Sequence, residues 1–185
     1  MRTRKFLAIA TAGLVALVAT LVGTTPANAM AYPLHTYVSV FPQTSTKMVL
    51  DVLDGQMNSG APVQLWERNG NSQQTWDIYQ GPDLSNGHHW YRLFNGKSKL
   101  CLDMATDGPV GNGTRVQQWG CGSSDNQYWV AYPVESSGQY AAWVELRPKS
   151  NQNLCLDVSG ANYGNGARLQ VWQCHHGWNQ RFNIS

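Results

Sequence analysis

Past the first 29 residues, the apolar positions come in short runs and never in long helical stripes. Tyr37-Val38-Ser39-Val40-Phe41, Trp90-Tyr91-Arg92-Leu93-Phe94 and Trp143-Val144-Glu145-Leu146 are β-branched or aromatic, with partial apolar–polar alternation. That is the pattern of half-buried strands. Leu50-Asp51-Val52, Val63-Gln64-Leu65-Trp66 and Trp76-Asp77-Ile78 supply three more. Turn dipeptides separate the runs: Asp54-Gly55, Asn69-Gly70, Asn95-Gly96, Asp107-Gly108, Asn112-Gly113 and Asn165-Gly166. The pattern predicts an all-β chain.

The same positions recur three times, which is the signature of a repeat architecture. Trp66, Trp119 and Trp172 stand 53 residues apart. Gln74-Thr75-Trp76, Gln127-Tyr128-Trp129 and Gln180-Arg181-Phe182 follow the same interval. Val49-Leu50-Asp51-Val52 matches Cys101-Leu102-Asp103-Met104 and Cys155-Leu156-Asp157-Val158. The Asp spacings are 52 and 54, so the loop after Asp103 holds one extra residue. Between these lie Ser59-Gly60, Asn112-Gly113 and Asn165-Gly166, whose glycines are expected to be turn residues at positive φ. Three units, roughly 34–82, 83–136 and 137–185, leave no room for a second domain. About four strands per unit predict twelve in all. A unit this small cannot bury its own core. Three closing on a pseudo-threefold axis form one barrel without free edges.

Four cysteines allow three pairings. Cys101 and Cys121 occupy the places of Cys155 and Cys174, and in the first unit both places are empty together, as Val49 and Arg68. Joint loss predicts the disulfides Cys101–Cys121 and Cys155–Cys174. Each is worth about 3 kcal/mol for a loop of about 20 residues in chain-entropy terms. Cys174-His175-His176 is the one metal-like cluster, and an oxidised cysteine cannot serve as a zinc ligand. No metal or cofactor is expected.

The leader has its own logic. Arg2, Arg4 and Lys5 precede an apolar run from Phe6 to Val22, and Ala27-Asn28-Ala29 is a small-x-small cleavage site. Residues 1–29 thus read as a secretory signal peptide, and 30–185 as the mature, secreted chain. No second apolar run approaches the roughly 20 residues that span a bilayer, so no membrane association is expected after cleavage. Three of the 13 Lys+Arg lie in the leader, so 10 remain against 11 Asp+Glu, a formal net of −1. A nucleic-acid partner, which needs a basic surface, is disfavoured. Charged residues are 13% of the chain, well under the usual share, and polarity comes from Asn, Gln, Ser and Gly. Eight Trp residues accompany these amides. Rings that lie on C–H faces, with amides that bond hydroxyls, suit a neutral hydroxylated ligand.

With the thrice-repeated Leu-Asp, Val/Leu-Gln-x-Trp and Gln-x-Trp/Phe and the flanking cysteines, the mature chain resembles the ricin B-type β-trefoil lectins along its whole length. The resemblance implies a β-trefoil with one sugar pocket per repeat. Each pocket would use an Asp, a Gln, an aromatic ring two residues beyond that Gln, and an Asn-Gln pair. By position these are Asp51, Gln64, Trp66, Gln73 and Gln74; then Asp103, Gln117, Trp119, Asn126 and Gln127; then Asp157, Gln170, Trp172, Asn179 and Gln180. The first unit departs from the pattern, with Gln73 in place of Asn and no disulfide. The third ends in Phe182 instead of Trp, at a position expected to be core. The implied function is non-covalent binding of galactose-type or xylan/arabinan-type sugars at up to three shallow sites. The oligomeric state, monomer or otherwise, stays open.

Each residue has a competing structural role. The three Asp residues could cap turns, yet each is followed by an apolar residue. Gln64, Gln117 and Gln170 lie two before the repeated Trp, which argues for a ligand-facing strand surface. Trp76, Trp129 and Phe182 read as core, and His88-His89 and His175-His176 as loop residues, with His175 and Trp178 near the third pocket. Asn112-Gly113-Thr114 and Asn183-Ile184-Ser185 match the glycosylation triplet. Glycoside hydrolysis needs two carboxylates about 5 to 9 Å apart, and the repeated Asp residues belong to separate lobes, so no catalysis is expected. The alternatives are a protein-interaction trefoil (an inhibitor or delivery subunit) and an accessory component of a glycoside hydrolase. Asp103→Ala and Asp157→Ala are expected to weaken binding with little loss of thermal stability.

Overall fold

The computed structural model describes residues 34–40, 48–81, 84–134 and 143–184. The expected signal peptide (1–29), residues 30–33, 41–47, 82–83 and 135–142, and Ser185 lie outside them. Among the described residues there is no α-helix, only strands and one-turn 3-10 segments. The strands of the first lobe are β1 (Leu34–Thr36), β2 (Val38–Val40), β3 (Met48–Val52), β4 (Val63–Glu67) and β5 (Trp76–Gln80). The second holds β6 (His89–Asn95), β7 (Cys101–Met104), β8 (Thr114–Trp119) and β9 (Trp129–Pro133). The third holds β10 (Trp143–Pro148), β11 (Leu154–Val158), β12 (Leu169–Gln173) and β13 (Phe182–Ile184). The thirteenth strand is β1, which lies before the run expected from Tyr37 and is separated at Tyr37 from β2, the described part of that run.

Antiparallel pairing closes a ring. β1 pairs β5, β5 pairs β6, β6 pairs β9, β9 pairs β10, β10 pairs β13, and β13 returns to β2. The first and last strands of each lobe thus form a six-membered barrel. The inner strands make three hairpins, β3–β4, β7–β8 and β11–β12. These hairpins meet in a cyclic cap. Pro62 pairs Gln117, Arg115 pairs Gln170 and Arg168 pairs Gln64, which is the same contact advanced one lobe each time. Gly60, Gly113 and Gly166 sit at φ +89°, +87° and +84° and hand their N–H to Gln118 O, Val171 O and Leu65 O of the next lobe. A side chain there would be strained, which is why all three repeats keep glycine.

The core lies between barrel and cap. Trp76, Trp129 and Phe182 are fully buried, as are Leu50, Leu102 and Leu156. Trp76 and Trp129 donate their indole N–H to Leu50 O (3.2 Å) and Leu102 O (3.1 Å), which ties barrel to hairpin. Phe182 fills the same place without that bond. Where the other lobes have Leu65 and Val171, the second has fully buried Gln118. Its amide is satisfied by Gln56 O, Asn58 O and Ser98 Oγ. Both disulfides are present, Cys101–Cys121 and Cys155–Cys174. In the first lobe, Arg68 instead stacks over the Tyr37 ring at 3.6 Å.

Because Phe182 already serves as the third anchor, Trp129→Phe is expected to cost only about 1 kcal/mol for the lost hydrogen bond. Trp129→Ala is expected to cost about 3 to 5 kcal/mol for the cavity. Urea denaturation of the two variants checks the difference.

Candidate functional site

Strand periodicity and hairpin register assemble the same group three times. Asp51 pairs Gln64, Asp103 pairs Gln117 and Asp157 pairs Gln170. Two residues on, Trp66 stands opposite Val49, Trp119 opposite Cys101 and Trp172 opposite Cys155. Alternate residues share a face, so carboxylate, amide and indole all project from one side of the hairpin.

Each carboxylate is buried and held by side-chain amides, with no turn-capping bond. In the second lobe, Gln117 Nε2 donates to Asp103 Oδ1 (2.9 Å), while Asn126 Nδ2 (2.8 Å) and Gln127 Nε2 (3.0 Å) donate to Oδ2. The third lobe repeats this with Gln170 (2.9 Å), Asn179 (2.8 Å) and Gln180 (3.0 Å) on Asp157. In the first, Gln64 Nε2 donates to Asp51 Oδ1 at 3.1 Å, and Gln74 favours the charged form of the carboxylate. Among the described residues, no hydrogen bond joins the Gln73 side chain to Asp51. Asn126 and Asn179 also bond the carbonyls of Met104 and Val158, which fixes their amides. The longer Gln73 does not reproduce that clamp.

Gln74, Gln127 and Gln180 have a second task. Their Nε2 donates to Glu67 O, Gly120 O and Gln173 O, and their Oε1 accepts the N–H of Asn69, Gly122 and His175. Each closes the loop beyond its tryptophan. Gln64 and Gln117, expected on a ligand-facing surface, are buried and donate to Asp51 and Asp103, and Gln117 also lines the recess of the second lobe. Their polarity serves the carboxylate first. The most exposed members of each group are Trp66, Trp119 and Trp172, 38%, 46% and 39% exposed, whereas Trp76 and Trp129 are at 0%.

Burial sets the electrostatics. Desolvation raises the carboxyl pKa of Asp51, Asp103 and Asp157 above the ordinary 3.8, and the amide hydrogen bonds offset this only in part. Asp107 moves the other way, because the Arg115 guanidinium bonds it at 2.5 Å on the exposed rim. The second pocket is a recess of about 300 Å³ lined by Asp103, Thr106, Asp107, Trp119, Gly122 and Asn126, among others. Thr106 and Asp107 escape sequence reading because rim positions differ from lobe to lobe, so the repeat does not flag them. At the third pocket, His175 Nε2 lies 3.6 Å from Asp157 Oδ2. Burial and the Asp157 charge together raise the Tyr163 hydroxyl pKa, which places that ring beside the site. Trp178 is 48% exposed next to Asn179, with Arg181 over its ring at 4.3 Å.

Two other features have structural explanations. Glu145, Cys155 and Cys174 cluster, but both sulfurs are in a disulfide and are not thiolate ligands. Glu145 instead bonds His176 Nδ1 and Arg147 at 2.7 Å each. Asn112, in the glycosylation triplet, accepts the Gln173 N–H on its Oδ1 at 2.6 Å. The buried bonds bear on the expectation that Asp103→Ala costs little thermal stability. That change leaves the buried Gln117 Nε2 without its acceptor, while Asn126 and Gln127 keep the carbonyls of Met104 and Gly120, and an unsatisfied buried group costs about 1 to 3 kcal/mol.

A closed barrel with a cyclic hairpin cap, carrying the same carboxylate–amide–indole group in each lobe, defines a β-trefoil. Residues 34–119 and 72–172 match the family described as ricin-type beta-trefoil lectin domain-like, and the chain belongs to that family. Among solved structures it is similar to ThreeFoil, a designed threefold-symmetric protein, at 23% identity and TM-score 0.65, covering 81% of this chain and 96% of that one. The ricin B-like lectin of Macrolepiota procera, solved with lactose, aligns at 17% identity and TM-score 0.62 over 84% and 96%. An exo-β-1,3-galactanase from Clostridium thermocellum aligns at 25% identity and TM-score 0.65, covering 83% of this chain but 31% of the enzyme. Comparison with curated proteins gives no match. Among the described residues, no helix is long and apolar enough to cross a membrane.

Carbon-detected NMR titration is expected to find the Asp51, Asp103 and Asp157 carboxyls titrating above 3.8 and Asp107 below it. For the three pocket groups, the folded state holds the proton more tightly than the unfolded. Their contribution to stability is therefore full below 3.8 and is lost as pH rises through the raised values. Titration of Asp103 below Asp107 would mean that the amide donors outweigh burial.

Proposed function

We propose that this chain is a secreted carbohydrate-binding protein, released as residues 30–185, that holds sugars non-covalently and performs no catalysis. The observation that carries this reading is the buried carboxylate fixed by side-chain amides beside a half-exposed indole, present in all three lobes. An ionised carboxylate accepts ligand hydroxyls, the amides supply both donors and acceptors, and the indole takes the apolar C–H face of a sugar ring. The chemistry fits galactose-type sugars or xylose- and arabinose-type sugars of plant polysaccharides.

Single shallow sites of this kind bind weakly, at about millimolar to tens of micromolar. Three on one rigid body raise avidity by about 10² to 10⁴ on a multivalent glycan, so polysaccharides and glycan-coated surfaces are the partners this architecture serves best. The pockets are not equal. The second and third have their full amide sets, while the first lacks the clamp that Asn126 and Asn179 provide, and it should bind most weakly.

A glycan array with galactosides, xylan and arabinan tests the reading on the secreted protein. Wild type is expected to bind, and the triple variant Trp66→Ala, Trp119→Ala, Trp172→Ala to lose that binding while still folded. These indoles are half-exposed, so their loss disturbs the core less than loss of the buried Asp residues. A folded wild type that binds no glycan, or a triple variant that binds as well as wild type, would sink the proposal. Binding should also weaken on acidification while the pH is still above 3.8, where an ordinary Asp stays ionised, because protonation removes the acceptor. Affinity measured against pH, beside a thermal melt at each pH, separates this loss from unfolding.

A further inference from the structure

Each pocket is also held from outside its own lobe. The peptide after each pocket tryptophan is gripped on both sides. Its residue's carbonyl is bonded by the lobe's own Gln74, Gln127 or Gln180, as above. Its N–H goes to the preceding lobe. Gly120 N–H, after Trp119, donates to Ser59 Oγ at 3.0 Å. Gln173 N–H, after Trp172, donates to Asn112 Oδ1 at 2.6 Å. Glu67 N–H, after Trp66, donates to Asn165 Oδ1 at 2.7 Å. Ser59, Asn112 and Asn165 hold the same place in the three repeats, directly before the positive-φ glycine.

Two of the three turns back the rings as well, while a Cβ on Gly166 would meet nothing within 4 Å. A Cβ on Gly60 would lie 3.6 Å from Trp119 Cζ3, and one on Gly113 would lie 4.0 Å from Trp172 Cζ3. The direction never reverses: lobe 1 braces the second pocket, lobe 2 the third, and lobe 3 the first. The carboxylate is fixed within its own hairpin, but β8 ends at Trp119, and β4 and β12 end one residue past Trp66 and Trp172. A strand end frays unless something ties it. The tie here belongs to the neighbour.

We propose that Ser59, Asn112 and Asn165 are positioning residues for the pocket of the following lobe, so that each ligand site is a two-lobe structure. This rests on the carbohydrate reading for its functional meaning, but its geometry can be tested without a ligand. In proton–nitrogen spectra, Asn112→Ala is expected to move the Trp172 indole signal and leave those of Trp66 and Trp119 in place. Ser59→Ala should move Trp119, and Asn165→Ala should move Trp66.

For binding, Trp66→Ala with Trp119→Ala leaves the third pocket alone, and Trp66→Ala with Trp172→Ala leaves the second. Titrated with lactose and with xylobiose, Asn112→Ala is expected to weaken the third pocket by about three- to tenfold and to change the second by less than about twofold. Asn112→Asp keeps the acceptor and should restore the third pocket. Indole shifts in the variant's own lobe, or equal weakening of both pockets, overturns the proposal. If wild type binds neither sugar, the carbohydrate reading fails for both sugar classes, and the resonance pattern alone decides the bracing.

Discussion

A lobe of about 53 residues has no core of its own, and the rest of the molecule follows from that deficit. Leu50, Leu102 and Leu156 reach full burial only because three hairpins close over one barrel. Closure requires each lobe to offer hydrogen-bonding groups to the next. The Pro62–Gln117, Arg115–Gln170 and Arg168–Gln64 bridges meet that need in a cycle. The glycine turns are part of the same closure, since their positive φ aims an N–H at the neighbouring strand. A pocket built at this seam inherits its rigidity.

The pocket turns a destabilising group into a useful one. A carboxylate taken out of water is costly unless donors surround it. Gln117, Asn126 and Gln127 are those donors for Asp103, and they also fix the direction of its oxygens. The raised pKa shows that burial still outweighs them. The indoles balance this from the other side, left part-exposed where solvent or a ligand can meet them.

The lobes are variations under one constraint. Where the second and third close the loop beyond tryptophan with a disulfide, the first uses Arg68 over Tyr37. Where two lobes put Leu65 and Val171 under the cap, the second buries Gln118 and satisfies every polar atom of its amide. These exchanges are tolerated because they touch only their own lobe and its nearest seam. The rims diverge further, with Asp107 and Arg115 at the second pocket and His175 and Tyr163 at the third.

The threefold recurrence of Leu-Asp, Gln-x-Trp and the cysteines was enough to determine the all-β repeat and the pairing of the four cysteines, and the family resemblance named the side chains gathered around Asp51, Asp103 and Asp157. Repetition carries that information because three copies of one local structure need the same residues in the same places. It was also enough to separate buried Trp76, Trp129 and Phe182 from the half-exposed pocket rings. Only the tertiary structure decided how each amide is used. Gln64 and Gln117 look alike from strand parity whether they face a ligand or a buried carboxylate, and register and burial assign them to the carboxylate. It alone identified the rim residues, which do not repeat. It alone joined Ser59 to Gly120, Asn112 to Gln173 and Asn165 to Glu67, contacts 61, 61 and 98 residues apart in the chain. A sequence repeat records what each lobe does for itself, whereas what one lobe does for the next exists only once the ring has closed.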